Sequence, residues 1–312
     1  MIVTGATGTI GGALVPALLE RGHDVVVFSR RPERARDRLA GATEYVAYSQ
    51  GERGEWAKAL AGASAVVNLA GGSIFRPLSG RRHLRRVTEE RVAGTRALVG
   101  ALRTASHRPL ALVGASSIGV YGFADADDEA IDEHWTGPHD PASRGSREWE
   151  SAALEASPWM RVVLLRMGFV LSHRGGGLPY QLERARQGSV GYFAPGSQWL
   201  PWIHLDDVVA VVIDALEQAA WTGPYNLVSP EAVRSEEFAR RLAALTGAKP
   251  RKLPRLAARL LMGAGADTVL CGRRVVPARL LASAFRFRYA TLDAALRQTL
   301  VESAELLTGR SR

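Results

Sequence analysis

The opening stretch, MIVTGATGTIGGALVPALLERG, constrains the fold more than any other part of the chain. A short apolar run leads into Gly5, Gly8 and Gly11 at G-x-x-G-x-x-G spacing, after which Ile10, Leu14, Leu18 and Leu19 recur at helical intervals. A strand that turns this tightly into a helix opens a dinucleotide-binding unit. The glycines let the backbone approach a pyrophosphate, whose charge is met by the free N–H groups at the helix N-terminus.

The second strand, DVVVFSRR, ends where an acidic residue would take the ribose 2′-hydroxyl of NAD, about twenty residues beyond the glycines. Ser29, Arg30 and Arg31 stand there instead. A carboxylate would repel a 2′-phosphate, whereas a hydroxyl and a guanidinium bind it through charge-assisted hydrogen bonds. The expected cofactor is therefore NADP(H) in preference to NAD(H), with Ser29 and Arg30 at the 2′-phosphate.

Helix and strand patterns then alternate. EYVAY, SAVVNLAGG, PLALVGASS and MRVVLLRMG read as apolar strands, with helices predicted near 32–40, 54–61 and 83–106 and over SREWESAALEAS. Continuous apolar strands between helices predict an α/β fold of the Rossmann type, a doubly wound parallel sheet with its ligand beyond the strand C-termini. The dinucleotide-binding domain is expected over 1–171. A smaller, less regular substrate-binding part follows over 172–312, with 203–229 returning to the sheet through WTGPYNLVS.

Composition narrows the function classes. The chain has 312 residues, a net charge of +9 and a single cysteine, Cys271, which excludes an internal disulfide and a cysteine metal cluster. Its basic residues are interleaved with acids, as in RRPERARDR, and no nucleic-acid recognition signature is present. No stretch reaches the roughly 18 apolar residues of a spanning helix, and the N-terminus lacks the regions of a signal peptide. The expectation is a cytoplasmic protein, monomer or homodimer, that works on a small molecule and binds neither nucleic acid nor membrane.

NLAGG at 68–72, SSIGVYG at 116–122 and LLRMGFVL at 164–171 follow the glycine motif in order. Together they resemble the extended short-chain dehydrogenase/reductase superfamily. WIHLDDVV and the tail FRFRYATLDAAL narrow the resemblance to its atypical NAD-dependent epimerase/dehydratase-like, or nucleoside-diphosphate-sugar epimerase-like, subgroup, which ends in a domain of unknown function. By that resemblance Gly5, Thr7, Gly8, Thr9, Ile10 and Gly11 wrap the pyrophosphate, and Asn68, Leu69 and Ala70 line the middle of the cofactor. Ser116 and Ser117 would face the nicotinamide, with Ser117 polarising the substrate oxygen; the alternative is that both serines cap the end of their strand.

The superfamily's proton-handling Tyr-x-x-x-Lys is missing. Its two places fall on Ala142 and Ser146, and the residues four before Lys58, Lys249 and Lys252, the chain's three lysines, are Gly54, Leu245 and Ala248. A tyrosine must fall in pKa by about 3, or about 4 kcal/mol, to act as a base at neutral pH, and the lysine's charge is a main source of that assistance. Tyr121 either donates a proton or packs beside the cofactor. His204 is either an acid/base near neutral pH or a residue held at a strand–helix junction with Asp206 or Asp207 capping the helix. Asp132, Glu133, His134, His139 and Asp140 crowd DEHWTGPHD, but no helical or hairpin spacing fixes them as ligands, so a solvated loop and no metal site is expected. Arg166 either meets an anionic substrate or pairs within the protein. RGGGLP and the aromatic residues Tyr192, Phe193, Trp199 and Trp202 offer a lid and a pocket wall, with a surface turn and core packing as alternatives. The chain reads as an NADP(H)-dependent oxidoreductase or epimerase-like enzyme with a substitute proton donor, or as a non-catalytic NADP(H) sensor or scaffold.

Overall fold

The computed structural model describes residues 1–49, 54–72, 81–123, 128–137 and 141–308. Seven parallel strands form the central sheet: β1 (Ile2–Thr4), β2 (Val26–Ser29), β3 (Glu44–Ala47), β4 (Ala65–Asn68), β5 (Ala111–Ser117), β7 (Arg161–Met167) and β11 (Gly223–Leu227). Outside it lie β6 (Ala130–Ile131), β8 (Phe169–Leu171), β9 (Ser189–Phe193), β10 (Trp202–His204), β12 (Lys249–Leu253) and β13 (Arg274–Val275). These make three parallel pairs, β8 with β10, β9 with β12 and β6 with β13.

The sheet order is β11-β7-β5-β4-β1-β2-β3, so the winding reverses between β1 and β4. Val3 of β1 pairs with Val27 of β2 on one side and Val67 of β4 on the other. A crevice opens beyond the C-terminal ends of such neighbours because their crossover helices leave in opposite directions.

The strands read as unbroken apolar runs because both faces are covered. Alternate residues Val3, Val27, Val67, Val113, Val163 and Leu165 meet α1 (Thr9–Glu20) and α6 (Leu205–Glu217), through Leu14, Val15, Leu18, Val208 and Val212. The intervening residues Ile2, Val66, Leu112, Val162 and Leu164 meet Leu98 and Leu102 of α3 (Arg81–Thr104) and Ala153 of α4 (Arg144–Leu154). Each fully buried Leu or Val contributes about 1.5–3 kcal/mol, so the two cores together fix the rigid platform on which the loops sit. The helix α2 (Pro32–Arg38) joins β2 to β3 and starts on a proline whose fixed φ suits a first turn. The helix predicted near 54–61 is a 3₁₀ helix over Glu55–Gly62, preceded by Gly54.

A third core holds the less regular part together. Leu171, Trp202 and Val190 from the small strands meet α5 (Leu178–Arg186), α7 (Ser235–Thr246) and α11 (Leu292–Thr308) through Leu178, Leu182, Phe238, Leu242, Leu292 and Leu296. The short helices α8 (Arg255–Met262), α9 (Asp267–Leu270) and α10 (Ala278–Ala282) connect it to the tail. Among the described residues no helix is long and apolar enough to cross a membrane.

Candidate functional site

The crevice at the winding reversal is a cleft of about 820 Å³, lined by Gly5, Thr7 and Gly8 after β1, Ser29 and Arg30 after β2, and Leu69 to Gly72 after β4. Gly5 has φ +66°, and a Cβ there would lie 2.5 Å from the carbonyl oxygen of Leu69. Only glycine lets the two loops approach this closely. Gly11 serves packing instead: its Cβ would sit 2.5 Å from the Cα of Ala6, so the third glycine seats α1 against the turn. Neither a side-chain cap nor an acidic residue occupies the first turn of α1, which leaves its N–H groups and partial positive charge facing the cleft.

Along the far wall of the cleft stand Arg30, Arg31, Arg34 and Arg38, with one acid, Asp37, on the same rim. Ser29 Oγ accepts from the backbone N–H of Arg31 at 3.1 Å, which holds the turn that presents these side chains. None of the four arginines has an ion-pair partner among the described residues. A dinucleotide with a third phosphate fits this donor set: glycine backbone and helix N-terminus for the pyrophosphate, a hydroxyl and exposed guanidinium groups for the 2′-phosphate.

The remaining expected cofactor residues act behind the cleft. Asn68 is buried: Thr4 Oγ1 donates to its Oδ1 at 2.7 Å, and its Nδ2 donates to Thr95 Oγ1 at 3.2 Å. Thr4 Oγ1 also accepts from the N–H of Ala70 at 3.1 Å, so Asn68 holds the loop that Leu69 and Ala70 line rather than lining it. Ile10 packs on the core with α1, and Thr9 lies under Gly175 of the RGGGLP stretch, whose Cβ would sit 2.1 Å from Thr9 Oγ1. That stretch is thereby docked against the start of α1.

Ser116 and Ser117 part company. Ser116 is buried and donates to Glu150 Oε1 at 2.6 Å, away from the cleft. Ser117 is half-buried, and its Oγ accepts from Gly119 N at 3.1 Å as the cap of a 3₁₀ turn over Ile118–Tyr121. A Cβ on Gly119 would lie 3.3 Å from Ser117 Oγ and 3.2 Å from Ser146 Oγ. The place where the superfamily's lysine falls thus lies, like Ser117, beside Gly119, with a hydroxyl there in place of a charge.

Tyr121 takes the packing alternative. It is 2% exposed, donates to Asn226 Oδ1 at 2.7 Å and accepts from Arg166 Nη1 at 2.8 Å. Burial pushes its phenol up to about 12 against the opposing pull of Arg166, the wrong direction for a proton shuttle at neutral pH. Arg166 in turn grips the buried Glu150 at both oxygens, Nε to Oε1 at 2.8 Å and Nη2 to Oε2 at 2.9 Å. Burial alone would lower the Arg166 pKa; the hydrogen bond and charge of Glu150 raise it above its ordinary value. Asn226 completes the chain, donating Nδ2 to Val276 O at 2.9 Å and its backbone N–H to Glu133 Oε1 at 2.8 Å.

His204 is fully buried at the strand–helix junction, and it is the cap itself: Nδ1 accepts from Asp206 N at 3.2 Å. Burial lowers its pKa, with Asp206 and Glu302 opposing, so it stays neutral. Asp207 does not cap α6 but accepts from the backbone N–H groups of Arg288 and Tyr289 at 2.7 and 3.1 Å, joining WIHLDD to the FRFRY tail. His204 therefore positions α6 and has no access to the cleft.

Among the described residues no three metal-ligating side chains converge. Glu133 is spent on the backbone of Asn226 and Arg279, and Asp132 accepts from His134 N, while His139 and Asp140 lie outside the described residues. Trp202 is core, and Trp199 lies 4.2 Å beneath Arg234. In the sequence Glu150 shows only as the WE pair at 149–150 that the resemblance retains, and no spacing links it to Ser116 or Arg166.

Residues 1–227 match the model of the NAD-dependent epimerase/dehydratase family, and 253–299 match a domain of unknown function. The chain is 33% identical over 302 residues to the chloroplastic SDR39U1 homologue of Arabidopsis thaliana, an epimerase family protein, covering 95% of this chain and 85% of that one. The crystal structure of human epimerase family protein SDR39U1 with NADPH superposes with a TM-score of 0.82 at 30% identity, covering 96% of this chain and 98% of that one. A nucleoside-diphosphate sugar epimerase from Corynebacterium glutamicum superposes with a TM-score of 0.73 at 25% identity, covering 99% of this chain and 66% of that one.

Proposed function

The chain belongs to the NAD-dependent epimerase/dehydratase family, and from that premise we propose that it is an NADP(H)-dependent oxidoreductase or sugar-nucleotide epimerase-like enzyme without the Tyr-x-x-x-Lys pair. The observation that carries this reading is the cleft wall of Ser29, Arg30, Arg31, Arg34 and Arg38 opposite the glycine turn. Four cations at the adenosine end would be wasted on NAD, whose 2′-hydroxyl is neutral. That the human relative was crystallised with NADPH supports the same choice.

When bound, the nicotinamide would supply or accept a hydride; this chain's residues supply orientation and polarity. Ser117 has its acceptor side used by Gly119 N, and its own O–H remains to donate to a substrate oxygen, with Ser146 alongside. The reading also takes a small-molecule substrate, a cytoplasmic setting and a monomer or homodimer, with no nucleic-acid or membrane partner.

The second reading, an NADP(H) sensor or scaffold without turnover, is favoured by one observation: Tyr121, Ser116 and Glu150 are all tied into a buried network. Titration of the purified protein with NADPH and NADH, followed by nicotinamide fluorescence, tests the cofactor. NADPH binding at least about tenfold tighter than NADH is the expected result; equal affinities would refute the arginine assignment. Screening the NADPH-loaded protein against carbonyl compounds, with Ser117→Ala as control, then separates enzyme from sensor.

A further inference from the structure

The glycine strap between β8 and α5, residues 172–177, links the tail of the chain to the start of α1. Its ends are fixed: Leu171 and Leu178 are fully buried in the third core, and Ser172 Oγ accepts from the backbone N–H of Arg174 at 3.0 Å. Its tip bears on the helix. A Cβ on Gly175 would lie 2.1 Å from Thr9 Oγ1, so any side chain there would push the strap away. Beside the tip stands His173, whose side chain is 5% exposed. Its Nδ1 donates to Glu302 Oε2 of α11 at 2.9 Å, and its Nε2 accepts from Arg174 Nε at 3.3 Å. A carboxylate accepts and a guanidinium donates, so these two partners fix which ring nitrogen carries the proton and use both. Gln298, one turn earlier on α11, donates Nε2 to the second oxygen of Glu302 at 3.0 Å.

Thr9 is a sensitive place for such a contact. It is the first residue of α1 and follows Gly8, which lines the cleft. The first internal bond of the helix runs from Gly12 N to Gly8 O at 2.8 Å, so the N–H groups of Thr9, Ile10 and Gly11 have no partner within it. No side-chain cap and no acidic residue steadies this turn. A helix end of that kind frays, and each loose donor must be ordered again when an anion arrives. The strap restrains the turn from outside, through Thr9, and the His173–Glu302 pair restrains the strap. Neither His173 nor Glu302 lines the cleft, so both act through the backbone between them and Thr9.

We propose that His173 and Glu302 are positioning residues for the cofactor pyrophosphate: the pair holds the strap on Thr9, and the strap holds the N–H groups of Thr9 to Gly11 in the geometry that receives the phosphates. Resting on the NADP(H) reading above, this gives the C-terminal helix a task at the cofactor site. α11 orders the turn before the dinucleotide arrives, and loosening it releases the dinucleotide faster. A ligand that touches only the arginine wall is indifferent to the strap. The glycines let a backbone come this close: Gly176 has φ +80°, and a Cβ on Gly177 would lie 2.7 Å from the ring of Phe169.

The test compares NADPH with adenosine 2′-monophosphate, which carries the 2′-phosphate but no pyrophosphate, on the full chain and its Gly175→Ala, Glu302→Ala and Glu302→Gln variants. Calorimetry gives the affinities, stopped-flow nicotinamide fluorescence the release rates, and the melting temperature the state of the fold. Gly175→Ala and Glu302→Ala are expected to bind NADPH about tenfold more weakly, mostly through faster release, and the adenosine ligand within about twofold of wild type. Glu302→Gln, whose amide oxygen still accepts from His173, should stay within about twofold of wild type for both ligands. If Gly175→Ala does not fold, the two Glu302 variants decide alone. Unchanged NADPH affinity in Glu302→Ala overturns the proposal, and so does an equal loss for both ligands, the mark of a general loosening. NADH, run alongside, carries the same pyrophosphate, so the variants should weaken it by the same factor. A wild type that binds NADH as tightly as NADPH would sink the NADP(H) reading and leave the strap effect standing on either dinucleotide.

Discussion

The C-terminal rim of the sheet has two halves of opposite character. Over β1, β2 and β4 it is open, built of glycine backbone and exposed arginines that lack ion-pair partners among the described residues. Over β5, β7 and β11 it is sealed, and Ser116, Glu150, Arg166, Tyr121, Asn226 and Glu133 spend their polar atoms on one another. Unpaired cations tolerated at a surface cost little and remain free to bind; paired charges in the interior cost much to disturb and bind nothing else. The difference separates the residues that can recognise a ligand from those that hold the platform beneath it. Tyr121, which its motif makes attractive as a catalyst, falls on the platform side.

The sharpest way to break this division is to cut the sealed half. Glu150→Ala leaves Arg166 buried without its anion and is expected to destabilise the fold by about 3–5 kcal/mol in urea denaturation. The apolar pair Glu150→Leu with Arg166→Met should recover stability to within about 1 kcal/mol of wild type. If the single change costs under about 1 kcal/mol, the network is not structural. Gly5→Ala attacks the open half through its backbone: the positive φ and the 2.5 Å approach to Leu69 O predict a loss of roughly 2–3 kcal/mol together with loss of dinucleotide binding.

Arg30→Asp should separate the halves cleanly. NADPH affinity is expected to fall about 100-fold while the melting temperature hardly moves, because an exposed side chain contributes under about 0.5 kcal/mol to folding. A drop in stability as large as the drop in affinity would erase the distinction.

The mildest effect concerns the phenols. Tyr121 and Tyr48 are both pushed up to about 12 by burial. Between an unfolded value near 10 and a folded value near 12 the native state keeps a proton that the unfolded chain has released, so stability falls as pH rises through that window and is full below it. Phenolate absorbance should show Tyr48 and Tyr121 among the late-titrating tyrosines, with Tyr192, Tyr225 and Tyr289 also raised, and Tyr121→Phe should remove one of them at a cost of about 1–2 kcal/mol at neutral pH.

The open half was legible in the sequence because its determinants are local. Gly5 to Gly11 follow their strand directly, and Ser29 and Arg30 end the next one, so period and spacing suffice to place them. The sealed half was not. Glu150 meets Ser116, 34 residues away, and Tyr121 meets Asn226, 105 residues away, and no spacing rule links such partners. The sequence leaves His204 as either acid/base or junction residue, and only its burial decides. Asn68 shows a finer limit: its motif gives its loop, but which way its amide turns depends on Thr4 and Thr95 on two other elements.

The position of β11 in the sheet bears on how the protein is made. β7 pairs with β5 on one side and with β11 on the other, yet the chain between Leu171 and Gly223 first leaves to build α5, β9, β10 and α6. A nascent chain that has emerged only as far as Leu171 therefore exposes the outer edge of β7, with its row of free N–H and C=O groups beside Val163 and Leu165. Such an edge is a template for pairing with another chain until Gly223–Leu227 arrives to cover it.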